Sequence, residues 1–204
     1  MDSAMIDGLK RFFVTVADSV CPGFTITEEQ RPLISAIFDW CLMRGTELDP
    51  DKGLWLHGDI GSGKTTMLRI VKTFCRSIGR PGIEGRPYSF RISNAIEVCG
   101  EFSRKGYAGI ETFINSRSQA FDEIGSESVP TGYYGTAENV FQYILQRRYD
   151  TRYDSFTHVT TNFTVSEISK LYSPRIFDRC REMVNFVEFN GTTFRKNKET
   201  RYGK

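Results

Sequence analysis

The sequence predicts an α/β fold, a three-layer sandwich built on a central parallel sheet. Three observations carry this. From Gly53 onward, short apolar runs alternate with stretches of helical periodicity, the pattern of stacked βαβ units. The first of those runs passes through a glycine-rich turn directly into a helix. The chain has 204 residues, 39% hydrophobic and 25% charged, which suits one globular domain with a sizeable core.

Each element follows in order. Ile6, Leu9, Phe13, Val16 and Val20 recur at helical spacing, so Met1 to Val20 is predicted as an amphipathic helix, broken by Cys21-Pro22-Gly23. A second helix runs from about Pro32 to Met43 with Leu33, Ile37, Trp40 and Cys41 inward; Pro32 suits a first turn, where its missing N–H costs nothing. Leu54 to His57 is the first strand, and Lys64 to Ile78 a helix burying Met67, Ile70, Val71, Phe74 and Ile78. Tyr88 to Ile92 reads as a strand, with Ser93 capping a helix that carries Ile96 and Cys99. Phe156 to Thr161 is a strand. Thr164 and Glu167 form a capping box for a short helix ending near Leu171. Ser173-Pro174 starts another helix, with Ile176, Phe177 and Cys180 inward, and Val184 to Phe189 is the last strand. The domain reading is 1–26 for the first helix and linker, 27–195 for the α/β domain, and 196–204 for a basic tail.

Composition narrows the function classes. No run approaches the eighteen or so apolar residues of a membrane span. The start carries Asp2 and Asp7 where a secretory leader carries lysine or arginine, so a cytoplasmic protein is expected. Cys21, Cys41, Cys75, Cys99 and Cys180 are scattered, without a Cys-x-x-Cys pair, which fits buried thiols better than zinc ligands or a disulfide framework. His57 and His158 fall in predicted strands and read as core or strand-end residues. Net charge is only +2, but Arg195, Lys196, Lys198, Arg201 and Lys204 cluster at the end, as a solvated tail or a phosphate contact.

Gly58-Asp59-Ile60-Gly61-Ser62-Gly63-Lys64-Thr65 fits the pattern G-x-x-x-x-G-K-[ST] at every position. Average composition yields that pattern in only about 1% of chains this long. It also follows a strand and opens a helix, the context the P-loop requires. Its glycines let successive N–H groups face a phosphate, so ATP is expected to lie against Gly58, Asp59, Ile60, Gly61, Ser62, Gly63, Lys64, Thr65 and Thr66. Lys64 bridges the β- and γ-phosphates in this reading, and Thr65 binds Mg²⁺. Such a site needs an acid at the end of a neighbouring strand. Asp122 is the candidate metal ligand and Glu123 the candidate base for the attacking water, although Ser118-Gln119-Ala120 is polar for a buried strand, and a loop acid pair is the alternative. Thr160-Thr161-Asn162 ends a strand either as a plain turn or as a contact to the water or γ-phosphate. Arg175 and Arg179 share a helical face, either solvated or reaching a neighbouring subunit's γ-phosphate.

Read together, the ordered motifs resemble an AAA+ ATPase of the DnaC type, the bacterial replicative-helicase loaders, and the related transposition helper IstB. They are Gly58 to Thr65, Asp122 to Gly125, Asn139-Val140, Ile144-Leu145, Arg148-Tyr149-Asp150, Thr160 to Asn162, Pro174 to Arg179, and Phe189-Asn190-Gly191 with Phe194-Arg195. The resemblance implies an AAA+ type P-loop domain with a much reduced or absent helical lid, which the short stretch after Asn162 also suggests. It implies that Asn162 serves as sensor 1, Arg179 with Arg175 as the arginine finger, and Arg195 as sensor 2. It implies ATP and Mg²⁺ as cofactors and an ATP-dependent homo-oligomer. Phe102, Arg104, Lys105 and Tyr107 would then either face single-stranded DNA or form an ordinary amphipathic surface, and the protein partner would be a replicative helicase or a transposase. The first helix either docks in a partner's groove or packs on its own core. Two other readings share the loop: a nucleotide switch with little turnover, and a small-molecule kinase, for which no acceptor pocket is legible.

Overall fold

The strand that leads into the glycine-rich loop, β1 (Gly53–Gly58), sets the layering. Side chains alternate across a strand, so Leu54 and Leu56 enter one core while Trp55 enters another. A computed structural model describes residues 2–190. On the first face lie α1 (Ser3–Val20), α2 (Arg31–Cys41) and α3 (Lys64–Ser77). The second face holds α4 (Ala95–Lys105), α5 (Tyr107–Asn115), α6 (Val140–Asp150), α7 (Val165–Leu171) and α8 (Pro174–Met183). The sheet between them adds β2 (Arg91–Asn94), β3 (Ser118–Asp122), β6 (Phe156–Thr160) and β7 (Val184–Phe189), and a hairpin of β4 (Thr131–Tyr133) and β5 (Thr136–Glu138) stands apart. Among the described residues, both helices that follow Asn162 pack on the sheet. No helix among them is long and apolar enough to cross a membrane.

All five strands of the main sheet are parallel, in the order β2-β3-β6-β1-β7. This corrects one expectation: the strand bearing Asp122 is not the immediate neighbour of β1, because β6 lies between them. The polar β3 is nonetheless a central, buried strand. Gln119 is 1% exposed, and its Nε2 donates to Ser93 Oγ at 3.1 Å and to the Ala120 carbonyl at 3.0 Å. A buried amide that finds its partners does not incur the desolvation penalty that an unpaired one would.

Other boundaries also move. β2 begins at Arg91, while Tyr88 and Phe90 sit upstream as buried aromatics around Trp40 and His158. The cap of α4 is Asn94, whose Oδ1 accepts from Ile96 N at 2.9 Å; Ser93 is inside the sheet, and Ile96 faces solvent. The capping box of Thr164 and Glu167 is formed. α1 lays its apolar face on its own domain: Phe13 meets Phe38 and Phe74 edge-on at 5.7 and 5.0 Å, and Val16 and Ala17 are buried beside it. Burying a phenylalanine of this kind contributes about 2–3 kcal/mol.

Two buried cationic residues tie the layers together. Arg148 is fully buried: its Nε donates to Thr157 Oγ1, its Nη1 to the carbonyls of Phe113, Ile114 and Ser116, and its Nη2 to the Phe156 carbonyl, at 2.7–3.0 Å. It thereby closes the C-terminal end of α5, where a cation is favoured. Arg80 lies across Trp40 at 3.8 Å and Tyr88 at 4.4 Å.

His158, in the middle of β6, is uncharged. Its Nδ1 accepts from Leu54 N at 3.0 Å, so the neutral ring carries its proton on Nε2 and donates it to Tyr88. Burial pushes it down to about 3, helped by the positive charges of Arg80 and Arg148. Unfolded, the ring has its ordinary value of 6.5, so the unfolded chain takes up the proton first. This contribution is fully present above pH 6.5 and is lost as pH falls from there towards 3, at up to about 1.4 kcal/mol per pH unit. We expect the urea midpoint to drop between pH 7 and pH 5, and His158→Phe to remove most of that slope while lowering stability throughout. His57, also lowered chiefly by burial, adds a share of the same sign. A midpoint flat over this range would contradict the assignment.

Candidate nucleotide-binding and catalytic site

The loop after β1 is held at both ends. At Gly58 φ is 119°, and a Cβ there would stand 2.4 Å from the Phe189 carbonyl oxygen, so β7 admits only glycine. Asp59 N then donates to that same carbonyl at 3.1 Å. At the other end Gly63, with φ 94°, is the N-cap of α3 and offers no side chain to the helix. The first intrahelical bond is Met67 N to Gly63 O at 2.8 Å, which leaves the N–H groups of Lys64, Thr65 and Thr66 at the positive end of the helix dipole. That is an anion site by construction.

Lys64 lies over the loop, 6% exposed. Its Nζ donates to the carbonyls of Gly58 and Asp59 at 2.8 and 2.6 Å and to Ser62 Oγ at 3.4 Å. Burial holds its pKa below the usual lysine range, opposed by Asp59, Asp122 and Glu123. Ser62 is itself buried, its hydroxyl donating to the Asp59 carbonyl at 2.8 Å, whereas Ile60 is exposed at the rim.

The sheet brings the acids to this loop. Thr65 Oγ1 donates to Asp122 Oδ1 at 2.8 Å, and Thr160 Oγ1 donates to the same oxygen at 2.5 Å. Thr160 Oγ1 accepts in turn from Glu123 N at 2.9 Å. The end of β6 thus buckles β3 to β1: Ile124 N donates to the Thr160 carbonyl, and Thr161 N to the Leu56 carbonyl, at 2.9 and 3.0 Å. Glu123 itself has φ 61°, a left-handed conformation that costs a non-glycine residue about 1–3 kcal/mol. Turned this way, its Oε2 accepts from Asn94 Nδ2 at 3.0 Å.

These groups open on a cavity of about 240 Å³. Lys64, Thr65, Thr66, Glu123, Thr160 and Asn162 line it, with Ile60, Gly61, Gly63 and, from the end of α1, Cys21. Asn162 is exposed there, beside Glu123. The donor set suits a small divalent cation carried in with phosphates, since magnesium takes one or two protein oxygens and completes its shell with water and phosphate. The Thr65 hydroxyl and the Asp122 carboxylate are such a pair.

The arginines are elsewhere. Neither Arg175 nor Arg179 lines the cavity. Arg175 is exposed on α8; Arg179 is half-buried, its Nη1 donating to Gln146 Oε1 and its guanidinium 4.9 Å from the Tyr149 ring. Arg195 lies outside the described residues, as do Gly191, Phe194 and the basic tail. Sequence reasoning did not single out Asn94 or Cys21. Asn94 is readable as a cap, but its second partner comes from another strand and leaves no local trace.

Asn94 Nδ2 holds the exposed carboxylate of Glu123 turned towards the end of β2. Asn94→Ala frees this exposed carboxylate and is expected to raise unstimulated phosphate release from ATP about 3- to 10-fold, less than a buried hydrogen bond to a charged group would give. A steady-state phosphate-release assay checks this; an unchanged rate would mean that Asn94 only caps α4.

No family model matches this sequence, and no curated protein matches it. Solved structures do match in fold. The crystal structure of DnaI aligns at TM-score 0.60 and 21% identity, covering 85% of this chain and 88% of that one. The DnaC helicase loader aligns at TM-score 0.61 and 17% identity, covering 84% and 96%. The replication initiator DnaA bound to AMPPCP and single-stranded DNA aligns at TM-score 0.58 and 15% identity, covering 83% of this chain and 49% of that one. The parallel sheet with flanking helices is therefore an α/β fold shared with these helicase-loader and initiator structures.

Proposed function

We propose that this chain binds ATP with Mg²⁺ in the cavity above Gly58–Thr66, hydrolyses it, and uses the cycle to assemble on single-stranded DNA and load or remodel a replicative helicase. One observation carries the reading: Lys64, Thr65, Glu123 and Asn162, from three separate segments, line one cavity, and Asp122 is joined to it through the Thr65 hydroxyl. The N–H groups of the loop and of the first turn of α3 wrap the triphosphate. Lys64 exchanges its loop carbonyls for β- and γ-phosphate oxygens. Thr65 and Asp122 hold the metal, which supplies charge neutralisation when bound. Glu123 accepts a proton from the attacking water, and Asn162 orients that water.

Hydrolysis by AAA+ folds draws on a positive charge from a second subunit. Arg175 is placed to reach out of the molecule, whereas Arg179 must first leave Gln146 and Tyr149. The fold neighbours support the partner class, since one is named as a helicase loader and another was solved with single-stranded DNA. The first experiment is solution mass by light scattering with an ATP analogue and Mg²⁺, with and without a single-stranded oligonucleotide. Wild type should assemble, and Arg175→Ala or Arg179→Ala should stay monomeric while still binding the analogue. A monomer under every condition would remove the oligomeric reading.

A second reading, a nucleotide switch with little turnover, is favoured by the hydrogen bond that restrains Glu123. Turnover that stays at background with DNA and partner present would select it. An IstB-like role for a transposase shares the same engine and would show instead as assembly on double-stranded DNA.

A further inference from the structure

The hairpin β4–β5 has no part in the nucleotide site, yet it grows directly from the turn that carries Glu123. Its base is fixed: Glu127 accepts from Gly125 N at 2.7 Å and from the Tyr172 hydroxyl, and Thr131 Oγ1 donates to the Ser128 carbonyl at 2.8 Å. Its tip is a two-residue turn, Tyr134-Gly135, with φ 41° and 82°. A turn of this kind needs positive φ at both positions and favours Asn-Gly or Gly-Gly. A bulky aromatic in the left-handed region costs free energy that asparagine or glycine would avoid. Tyr134 is nevertheless there, and it is 92% exposed. Local folding energetics give no reason for tyrosine at this place, so the side chain itself is what the position displays.

Its surroundings indicate to what. Tyr134 packs edge-on against Tyr133 at 4.8 Å, which leaves ring surface open. Tyr133 contacts Phe102 at 6.0 Å, Phe102 meets Tyr107 at 5.4 Å, and Tyr107 meets Tyr143 at 4.8 Å. The ring of Tyr133 lies so close to Gly106 that a Cβ there would stand 2.7 Å from it, which sets the hairpin beside Arg104 and Lys105. Both cations are exposed and share only Glu101, a surface pairing that phosphate can replace at little cost. Phe102 is fully buried and only supports this row, whereas Tyr134 and Tyr107 are exposed. Exposed rings next to surface cations are how single strands are held without sequence preference, since bases stack while phosphates are neutralised.

We propose that Tyr134 at the hairpin tip is a base-stacking contact for single-stranded DNA, extending the surface formed by the ends of α4 and α5. This rests on the single-stranded-DNA reading above. The test is fluorescence anisotropy of a labelled oligothymidine of about twenty nucleotides, and of an abasic strand of equal length, with ATP analogue and Mg²⁺. Tyr134→Asn suits the turn and should keep or raise the thermal midpoint. It should weaken oligothymidine binding about 5- to 150-fold, the value of one stacked base, and leave abasic binding unchanged. Tyr134→Phe should bind as wild type does. If Tyr134→Asn binds normally while the double variant Arg104→Ala/Lys105→Ala binds weakly, the stacking proposal fails and the DNA reading stands. Equal losses on both strands would also overturn stacking. Wild type that binds neither strand, with any nucleotide, would overturn both.

Discussion

Replacing Lys64 by alanine is expected to weaken ATP·Mg²⁺ binding by about 10- to 150-fold, the value of one hydrogen-bonded ion contact, and to lower turnover by a further 10²- to 10³-fold. Two effects act together. Among the described residues the ammonium is the sole basic side chain lining the cavity, so no neighbour among them replaces its charge. It also binds the carbonyls of Gly58 and Asp59, so its removal takes away contacts that hold the loop in shape before nucleotide enters. The loss should therefore be larger than the removal of a surface lysine, and Lys64→Arg should not restore it. A planar fork cannot take the place of a compact ammonium in a buried site. Titration with a fluorescent nucleotide analogue measures the first effect and phosphate release the second. Binding by Lys64→Ala within a few-fold of wild type would mean that nucleotide does not lie where the loop places it.

Glu123→Gln should separate binding from chemistry. Glutamine is isosteric and keeps an oxygen to accept from Asn94 Nδ2, so the turn at Glu123 and its contact to Thr160 should survive. Nucleotide affinity is then expected to remain within a few-fold of wild type. Removal of a general base costs about 10²- to 10⁴-fold in rate, and turnover should fall by that much. Light scattering in the presence of ATP should show Glu123→Gln held in the assembled state, because the step that ends it has been slowed. Equal turnover in wild type and variant would take Glu123 out of the reaction and leave the nucleotide-switch reading in place.

The parts of the site that were legible in sequence are those whose chemistry is contiguous. Gly58 to Thr65 states its geometry in eight consecutive residues, since each glycine and the Lys-Thr pair acts through positions next to it. The helices of the first core were legible for a similar reason. Ile37, Trp40 and Cys41, or Met67, Ile70, Val71 and Phe74, report one buried face through helical spacing alone. The strand of Asp122 was ambiguous because its inward residue is Gln119, and the partner that satisfies it, Ser93, belongs to another strand. The hairpin was not legible at all. Tyr134-Gly135 is a poor version of the turn it forms, and no local preference announces it.

Taken alone, the sequence determined an α/β layering, a glycine-rich loop opening a helix, and the acids and polar strand end available beside it. Those follow from periodicity and from residues acting on their immediate neighbours. The tertiary structure alone decided that β6 lies between β1 and β3, that Thr160 shares Asp122 with Thr65, and that Asn94 restrains Glu123. It also decided that Arg179 rests on Gln146 and Tyr149. Each of these is a hydrogen bond or ring contact between segments up to 104 residues apart along the chain. Such contacts depend on strand order and register, which the pleat of a single strand does not encode.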